Sequence, residues 1–390
     1  MKNNLESGIL TIYLDGRIDS SNANEIENDI FNIINSKEHE QLILDIDGLE
    51  YISSAGLRII LKIKKAEQNV QIINANTDVY EIFDMTGFAE MMDIKKAYKK
   101  YSIDGCEEIG HGANGIVYRI DKDTIIKVYK NPDSLDDIKN ERALAKKAFV
   151  AGIPTAISYD IARVGDKYGT VFELLNAKSI AKLLLEKPED LDKYVDMYVD
   201  LLKKIHATKD EAGDMVDMRQ VALTWAKFDQ DYLPKEIGEK LYELVKAVPV
   251  DNHMLHGDYH IKNVMVQDGE ALLIDMDTLC VGNPIFELGS MFNAYKGFSA
   301  LDASVSEAFL GITHEIGVEF WEKALKKYLG TSNEARLKEV EEKASIVGYM
   351  RLLRRLIRRG GGDAELSHDN IDHYIKELTR LVPKYDTLLI

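Results

Sequence analysis

The chain has 390 residues and 45% of them are hydrophobic, which suits two or three packed domains. Its net charge of −17 argues against non-specific nucleic-acid binding, because that binding needs Lys and Arg to neutralise phosphates. No apolar run is long enough to span a membrane, the start carries no secretion signal, and the two cysteines form no ligand or disulfide pattern. We therefore expect a cytoplasmic protein without nucleic-acid or membrane partners.

Residues 1–98 are predicted to form one domain in which strands and helices alternate. The segments ILTIYLDG, QLILDIDG and VQIINA have the patterns of strands, and helical segments separate them. In the helix that follows QLILDIDG, the residues Leu57, Ile60 and Leu61 recur at helical spacing. This alternation predicts an α/β layer.

This first domain resembles the STAS domain of bacterial anti-sigma-factor antagonists. The resemblance rests on LDGRIDSSNA, LILDIDGLEYISSAGLR and IFDMTGF, and it covers nearly all of the first hundred residues. It implies that Ser54 is a phosphorylation site, and that an anti-sigma factor or other regulatory protein binds the domain. The preceding position is commonly Asp in that family and is Ser53 here.

The position of Ser54 supports two interpretations. A strand gives way to a helix at this residue, so its hydroxyl could simply cap the helix N-terminus. A phosphate at the same place would add about −1.5 to −2 charge beside backbone N–H groups that can receive it. Both interpretations remain open.

A short basic stretch, Lys95–Gly105, is predicted to be a linker, and residues 99–390 form the second domain. Residues from about 104 to 176 resemble a kinase small lobe. Gly110, Gly112 and Gly115 form a G-x-G-x-x-G frame, and a strand with Val117 and then a second strand follow it. This order favours a glycine-rich hairpin over nucleotides rather than a dinucleotide-binding turn.

Lys127 lies on the second of these strands, and Glu141 lies on the helical stretch that follows. In kinases a Lys and a Glu so placed pair and orient the nucleotide phosphates. We expect the same pair here, with Asp137 as a weaker rival for the acidic partner. The alternative is that Lys127 is a surface residue on an edge strand. The strand GTVFELL would then cross to the C-lobe (about 177–390), and backbone groups from Glu173 to Leu175 would hold the adenine.

The segment HGDYHIKNVMVQDGEALLIDMD contains Asp258, Asn263 and Asp275. Two apolar runs flank an Asp-Gly pair between Asn263 and Asp275, which predicts a β-hairpin that returns Asp275 towards Asn263. One carboxylate is then free to accept a proton, and an amide oxygen with a second carboxylate can hold a hard cation. The alternative is that the aspartates only cap turns.

HGDYHIKN followed by IDMD resembles the catalytic and metal-binding segments of the aminoglycoside phosphotransferase and choline kinase families. The resemblance implies that Asp258 is catalytic, that Asn263 and Asp275 hold Mg²⁺, and that ATP is the phosphate donor. It also implies an α+β bilobal protein kinase-like domain with a largely helical C-lobe. Asp277 is a second candidate near the metal, and Glu287 is expected to hold the catalytic loop.

A basic helical run, RLLRRLIRRGGGD from Arg351 to Asp363, lies near the end of the chain. Its arginines could receive a phosphate or an acidic partner. The preferred interpretation is that they pair with the carboxylates of this acidic protein.

Two hypotheses of function follow. The first is an ATP- and Mg²⁺-dependent phosphotransferase that acts on a hydroxyl of a small-molecule acceptor of the aminoglycoside, amino-alcohol or sugar class, regulated by the STAS domain. The alternative is a signalling module in which the STAS domain is a phosphorylation switch at Ser54, and the kinase-like domain phosphorylates it or senses nucleotide.

Overall fold

The computed structural model describes residues 1–112, 114–358 and 364–390, with residues 364–367 as helical backbone only. The chain divides into two compact units. The first contains residues 1–104 and 161–169, and the second contains residues 105–160 and 170–390. The polypeptide therefore passes from one unit to the other more than once.

The first unit alternates strands and helices, as the sequence predicts. Its strands are β1 (Asn3–Glu6), β2 (Ile9–Tyr13), β3 (Gly16–Ile18), β4 (Gln41–Asp45), β5 (Leu49–Ile52), β6 (Val70–Ala75), β7 (Asp93–Lys96) and β8 (Lys99–Lys100), and its helices are α1 (Ala23–Ser36), α2 (Ser54–Ala66), α3 (Thr77–Met85) and α4 (Phe88–Met91). A five-stranded sheet has the order β1-β2-β4-β6-β7, in which β1 is antiparallel to β2 and the other neighbours are parallel. The strands β3 and β5 form a separate parallel pair.

Alternate residues of the central strands build the core of the first unit. Leu10 and Ile12 of β2 and Leu42 and Leu44 of β4 are fully buried, because successive side chains of a strand point to opposite faces of the sheet. The helices cover these residues with their own apolar faces.

Helix α2 buries a face slightly different from the predicted one. Leu57 and Ile60 are buried as expected, and Ile59 and Ile63 complete the face, whereas Leu61 is only half-buried. The buried face is centred between Ile59 and Ile63, one turn apart, so Leu61 falls at its edge.

The predicted linker is wrong as a description of Lys95–Gly105. Lys96 ends strand β7, and Lys99 and Lys100 form β8, which pairs in parallel with Ala162 and Arg163. Basic side chains do not prevent this pairing, because an edge strand leaves its side chains in solvent.

The small lobe of the second unit is built on a strand-rich segment and one helix. Its elements are β9 (Glu107–His111), β10 (Gly115–Arg119), β11 (Thr124–Tyr129), α5 (Leu135–Val150), β12 (Ser158–Val164) and β13 (Lys167–Glu173). The strand order is β13-β11-β10-β9. Residues 161–164 of β12 belong to the first unit, and β12 lies between β8 and β13.

The rest of the second unit is mainly helical. Its elements are β14 (Lys178–Ser179), α6 (Ile180–Glu186), α7 (Leu191–Ala207), α8 (Met218–Asp229), α9 (Lys235–Ala247), β15 (Met254–Leu255), β16 (Val264–Gln267), β17 (Glu270–Leu273), β18 (Cys280–Val281), α10 (Pro284–Phe292), α11 (Ala303–Leu310), α12 (His314–Leu329), α13 (Glu334–Arg358) and α14 (Ala364–Leu381). A π-helical turn, Asn293–Gly297, follows α10. Among the residues described, no helix is both long and apolar enough to cross a membrane.

The predicted hairpin after the HGD segment is confirmed. Strands β16 and β17 pair antiparallel, with Val264 opposite Leu273. The two turn residues, Asp268 and Gly269, have φ of 51° and 86°, and two-residue hairpin turns of this kind favour Asp-Gly. The hairpin brings the end of β17 back to the start of β16.

Candidate active site

The loop between β15 and β16, residues 256–263, carries the predicted catalytic Asp258 and the predicted metal ligand Asn263. The loop folds back on itself, because the Asn263 N–H donates to the His260 carbonyl at 2.9 Å and the Asn263 Nδ2 donates to the Asp258 carbonyl at 3.0 Å. Within the described part of the chain, the Asn263 Oδ1 accepts no hydrogen bond. The amide nitrogen therefore fixes the loop, and the amide oxygen stays available as a ligand.

Helix α7 holds this loop through two hydrogen bonds between a tyrosine of the helix and a tyrosine of the loop. The Tyr259 hydroxyl donates to the Tyr198 carbonyl at 2.7 Å, and the Tyr198 hydroxyl donates to the Tyr259 carbonyl at 3.1 Å. Both residues are almost fully buried. Tyr198 lies on the buried face of α7, so the loop is tied directly to the core of the second unit.

Glu287, on helix α10, anchors the start of the loop. Its buried carboxylate accepts from the backbone N–H groups of His256 at 2.5 Å and Gly257 at 3.1 Å. Burial alone would raise the pKa of Glu287, but the His206 ring 3.9 Å away, His256 and the Gly257 N–H hold it below its usual range. The expected loop-holding role of Glu287 agrees with these contacts.

Gly257 lies where the loop turns against the segment after Asp275. Its φ is +81°, and a Cβ at this position would lie 2.4 Å from the Thr278 carbonyl oxygen. Its own carbonyl accepts from the Ser290 hydroxyl at 3.0 Å and from the Arg351 guanidinium at 3.2 Å. Glycine is required here for both conformation and space.

Asp258 projects from this fixed loop, and 43% of its side chain is exposed. Burial on the remaining sides would raise the pKa of Asp258, but His260, 3.5 Å from the carboxylate, and Arg351 hold it below its usual range. The carboxylate is therefore ionised at neutral pH and can orient a hydroxyl.

Lys127, on β11, lies between two carboxylates. Its ammonium is 3.1 Å from Glu141 on α5 and 2.6 Å from Asp275. Burial would lower the pKa of Lys127, but the two carboxylates raise it above its usual range, so the amine stays charged. The Tyr129 hydroxyl also donates to Glu141. Asp137, the rival partner, is exposed one turn earlier on α5.

Asp275 follows the hairpin, and the Ile274 N–H donates to the Asn263 carbonyl at 3.0 Å. The φ and ψ of Asp275 are 63° and 66°, a left-handed conformation that is uncommon outside glycine. Such conformations occur where surrounding contacts hold a functional side chain in place. Here the conformation accompanies the contact between the Asp275 carboxylate and Lys127.

Asn263 and Asp275 provide an amide oxygen and a carboxylate, two of the oxygen ligand types that Mg²⁺ accepts. Among the described residues, no group of three or more His, Cys, Asp or Glu side chains is arranged to hold a metal ion. The two side chains nevertheless fit Mg²⁺, because this ion commonly keeps several waters and takes further oxygens from nucleotide phosphates.

Asp277 lies two residues beyond Asp275. Burial and the negative charges of Asp275 and Glu141 raise the pKa of Asp277 to about 6, against the opposing effect of Lys127. Its carboxylate also accepts a hydrogen bond from the Asn114 amide at 3.2 Å. Asn114 belongs to the glycine-rich segment, so this contact ties that segment to the acidic cluster.

The glycine-rich segment joins β9 to β10 as a hairpin. Gly110 pairs with Val117, and Val117 in turn pairs with Lys127. The Gly112 N–H donates to the Gly115 carbonyl at 2.9 Å, and a Cβ on Gly115 would lie 2.7 Å from a carbonyl oxygen of β11. The second strand of this hairpin is therefore the direct neighbour of the strand that carries Lys127.

Glu173 and Leu175, predicted to hold the adenine, lie at the end of β13 and just beyond it. The intervening Leu174 N–H donates to the Asp123 carbonyl at 2.8 Å. Within the described residues, neither side chain bonds to Lys127 or Asp275. The adenine-binding role of these two positions stays a prediction.

Tyr129, Asn114 and Arg351 belong to this site and were not singled out for it from the sequence. Tyr129 is two residues from Lys127 on the same strand face, so the strand period could have indicated it. Asn114 lies within the glycine frame. No local signal marks Arg351, which meets Gly257 across a long stretch of chain.

Ser54, in the first unit, is the exposed first residue of helix α2. The N-cap is Ser53, whose hydroxyl accepts from the Ala55 N–H at 3.2 Å. The capping interpretation therefore applies to Ser53, because that side chain and not Ser54 completes the helix N-terminus. Ser54 keeps its hydroxyl exposed beside the first turn.

Comparison with known families assigns both parts of the chain. Residues 105–321 match the phosphotransferase enzyme family, and residues 3–101 match the STAS domain. An anti-sigma factor antagonist of Bordetella bronchiseptica, BtrV, is 32% identical over 91 residues, which are 22% of this chain and 78% of the relative. The anti-sigma F factor antagonist of Paenibacillus polymyxa is 24% identical over 91 residues, with the same shares.

Solved structures resemble the larger part of the chain. A thermostable mutant of aminoglycoside phosphotransferase APH(4)-Ia, in a ternary complex with AMP-PNP and hygromycin B, has a TM-score of 0.50 and 13% identity, over 72% of this chain and 94% of that one. A choline/ethanolamine kinase family protein from Mesorhizobium loti has a TM-score of 0.46 and 12% identity, over 71% and 87% of the two chains.

The predicted fold is confirmed: an α/β STAS domain precedes a kinase-like α+β domain with a helical C-terminal region. The family match at residues 105–321 covers more than half of the 390 residues. The chain therefore belongs to the phosphotransferase enzyme family, and it carries a STAS domain ahead of the phosphotransferase domain.

Proposed function

We propose that the protein is an ATP- and Mg²⁺-dependent phosphotransferase that acts on a hydroxyl of a small-molecule acceptor. The observation that carries the proposal is the position of Lys127, 3.1 Å from Glu141 and 2.6 Å from Asp275. The Lys127 ammonium thereby links β11, the strand beside the glycine-rich hairpin, to Asp275, the proposed metal ligand. Phosphoryl transfer depends on such positioning and charge neutralisation more than on covalent chemistry.

The nucleotide would lie between the glycine-rich segment and Lys127. Gly110, Gly112 and Gly115 let the backbone approach the phosphates closely, and Val117 would pack on the base. Glu141 orients Lys127, whose charge is held by its two carboxylate neighbours. The backbone from Glu173 to Leu175 would bind the adenine. The AMP-PNP in the solved complex of the APH(4)-Ia mutant supports ATP as the donor.

Asn263 and Asp275 would hold Mg²⁺, which supplies neutralisation of the phosphate charge when bound. The Asn263 Nδ2 is fixed on the Asp258 carbonyl at 3.0 Å, and this contact orients its oxygen. Asp258 would orient the acceptor hydroxyl and take its proton late in the transfer. The short stretch between Asp275 and Glu287 leaves little room for a protein-kinase activation segment, which favours a small acceptor over a protein.

The test compares wild type with Asp258→Asn across amino-sugars, amino-alcohols, sugars and their acidic derivatives. ADP formation with Mg²⁺ and ATP is measured for each acceptor. We expect at least one acceptor to be consumed by wild type at a rate roughly a hundredfold or more above that of the variant. Equal rates of wild type and variant with every acceptor would contradict the proposal.

A second candidate function is a signalling module with Ser54 as its switch. The exposure of Ser54 at the first turn of α2 favours it, because a phosphate there would face backbone N–H groups. The similarity to anti-sigma factor antagonists also supports it. Intact-mass measurement after incubation with Mg²⁺ and ATP tests it: one added phosphate that disappears in both Ser54→Ala and Asp258→Asn is expected. No added mass would contradict transfer to Ser54 by this chain.

A further inference from the structure

Four arginines on one face of helix α13 extend away from the catalytic loop. Arg351, Arg354, Arg355 and Arg358, here called the arginine stripe, have helical spacing that puts them on one side of the helix. The stripe begins where Arg351 donates to the Gly257 carbonyl at 3.2 Å, next to Asp258. At a rise of about 1.5 Å per residue it extends about 10 Å from there.

Three guanidinium groups of the stripe lie over aromatic rings. Arg351 lies 5.6 Å from the Trp225 centroid, and Arg354 lies 6.0 Å from the Phe228 centroid. Arg355 lies 5.7 Å from the centroid of Phe298. A contact of this kind with an uncharged ring gives the guanidinium no counter-charge, so the group can still bind an anion.

The stripe is poorly matched by acidic side chains, although the protein is strongly acidic. Among the described residues, Arg351, Arg354 and Arg358 form no ion pair within 4.0 Å, whereas Arg336, on the same helix, pairs with Glu339 at 2.9 Å. Direct ion pairs, which the preferred interpretation expects, are therefore not found for these three in the described part of the chain, although Arg351 and Arg354 act electrostatically on Asp258 and Asp229. Arg359 lies outside the described residues.

One carboxylate does lie near the stripe, but it does not neutralise it. Asp229, at the end of α8, is fully buried, and among the residues that the structure describes neither of its oxygens has a hydrogen-bond partner. Burial raises the pKa of Asp229 to about 8, and Arg354 lowers it only in part. Burial thus disfavours the ionised form of Asp229, and among the described residues no ion pair within 4.0 Å joins Asp229 to Arg354.

A further cation comes from the catalytic loop itself. Lys262 is exposed, and its ammonium lies 5.9 Å from the Phe309 ring. Phe309 packs on His260 at 4.9 Å and on Phe298 at 5.1 Å. The aromatic pair Phe298 and Phe309 thereby connects Lys262 to the stripe, and His260 connects the pair to Asp258. Lys262 and the stripe are therefore joined through ring contacts that include His260, the neighbour of the Asp258 carboxylate.

We propose that the acceptor carries an anionic group, a phosphate or a carboxylate, which the arginine stripe binds while the acceptor hydroxyl lies at Asp258. This inference rests on the proposed phosphotransferase function and narrows it to hydroxyl compounds such as sugar phosphates or sugar acids. A cationic amino-sugar or amino-alcohol would meet like charges instead of partners.

The first test measures ADP formation by the full chain with Mg²⁺ and ATP, using sugars, their phosphates, their carboxylic acids, amino-sugars and quaternary ammonium alcohols. We expect kcat/KM for one anionic set to exceed that of its neutral parent by about tenfold or more, and the two anionic sets separate phosphate from carboxylate. Best turnover of a cationic acceptor, with dependence on Asp258, would overturn this inference and leave the phosphotransferase function standing. Absence of Asp258-dependent turnover with every set would overturn both.

The second test uses Arg354→Gln and Arg358→Gln. Each should raise KM for the anionic acceptor by about tenfold to a hundredfold, with KM for ATP unchanged, because a charged hydrogen bond to the acceptor is lost. The matched control is Arg336→Gln, on the same helix and paired with Glu339, which should change neither value. Arg358 is exposed, so its variant keeps the test valid if Arg354→Gln fails to fold. An unchanged acceptor KM in the Arg358→Gln variant and in any folded Arg354→Gln variant would overturn the proposal.

Discussion

At the scale of single residues, the site depends on one cation among several acids. Lys127 is only 15% exposed and contacts both Glu141 and Asp275, and Asp277 lies close enough to feel all three charges. One positive charge cannot satisfy three neighbouring carboxylates. Burial of Asp277, together with the negative charges of Asp275 and Glu141, raises its pKa.

Replacing Lys127 tests the centre of this cluster. In Lys127→Met the carboxylates of Glu141 and Asp275 lose their shared partner, and the nucleotide phosphates lose a fixed positive charge. We expect kcat/KM for ATP to fall roughly a hundredfold or more. Breaking a buried pair should also lower the free energy of unfolding by about 3 kcal/mol.

The matched control for this change is Lys122→Met, because Lys122 is 89% exposed in a neighbouring turn. It should leave both the ATP kinetics and the unfolding free energy unchanged. Similar losses in the two variants would show that the position of Lys127 between Glu141 and Asp275 has no special role.

The raised pKa of Asp277 predicts that the stability of the protein depends on pH. The folded pKa of Asp277, about 6, lies above the ordinary pKa of an Asp side chain, 3.8, so the folded state holds the proton more tightly than the unfolded state. This contribution to stability is complete below about pH 4 and is lost as the pH rises to 6. Asp277→Asn, which resembles the protonated form, should therefore melt at the wild-type temperature near pH 4 and at a higher temperature at pH 7.5.

The comparison for Asp277→Asn is Asp268→Asn in the exposed hairpin turn, where no pH-dependent difference is expected. The measurement is the melting temperature of both variants and of wild type at pH 4.5, 6 and 7.5. A stabilisation by Asp277→Asn that is equal at all three pH values would exclude titration of Asp277 as its cause.

At the scale of elements, the catalytic loop has little regular structure of its own and is held by its neighbours. Glu287 of α10 binds its backbone N–H groups, Tyr198 of α7 bonds reciprocally with Tyr259, and Arg351 of α13 binds the Gly257 carbonyl. Three separate helices thus fix one short segment. A rigid scaffold under an irregular loop is how the proposed catalytic carboxylate can be held in place.

Two glycines with nearly the same conformation allow the effect of a steric clash in the catalytic loop to be separated from the effect of backbone strain. Gly257 and Gly269 have φ of +81° and +86°, but a Cβ on Gly257 would lie 2.4 Å from the Thr278 carbonyl, whereas a Cβ on Gly269 would meet open space. Gly269→Ala should cost about 1–2 kcal/mol of unfolding free energy. Gly257→Ala should cost more, because the clash adds to the strain, and should lower kcat by displacing Asp258.

Denaturant unfolding and acceptor turnover of the two alanine variants provide the comparison. If both variants lose the same stability and retain the same kcat, the close contact of Gly257 with Thr278 does not control the loop.

The elements that could be predicted from the sequence are those determined by residues close together in the chain. The Asp268-Gly269 turn specifies its hairpin, and the strand–helix order after the glycine frame brings Lys127 to Glu141. Local patterns could not resolve a shift of one residue, so Ser54 was given the capping position that Ser53 holds. The support of the loop by Arg351 depends on residues distant in the chain, and no period or turn signal encodes that contact.

At the scale of the whole molecule, the two units are not separated by a single cut in the chain. Residues 161–169 belong to the first unit although both of their flanking segments belong to the second. Within the first unit these residues pair with the stretch that the sequence suggested was a linker. Lys99 pairs with Ala162, and the Tyr101 N–H donates to the Arg163 carbonyl at 2.9 Å.

This arrangement predicts that the start point of a phosphotransferase fragment decides its stability. A fragment of residues 98–390 keeps β8, the bond from Tyr101 and the edge contact between Tyr98 and Tyr168 at 5.5 Å, whereas a fragment of residues 105–390 loses all three. A net backbone hydrogen bond contributes about 1 kcal/mol. The longer fragment should therefore have a free energy of unfolding higher by about 2 kcal/mol, measured by denaturant titration.

The decisive control is the longer fragment with residues 98–104 replaced by a Gly/Ser stretch of equal length. That stretch adds chain without the Tyr98 ring, and it pairs poorly as a strand because glycine loses more conformational freedom on folding. The control should therefore unfold close to the shorter fragment. Equal stability of all three fragments would mean that β8 adds nothing to the sheet, and that the domain boundary can be placed at residue 105 without loss.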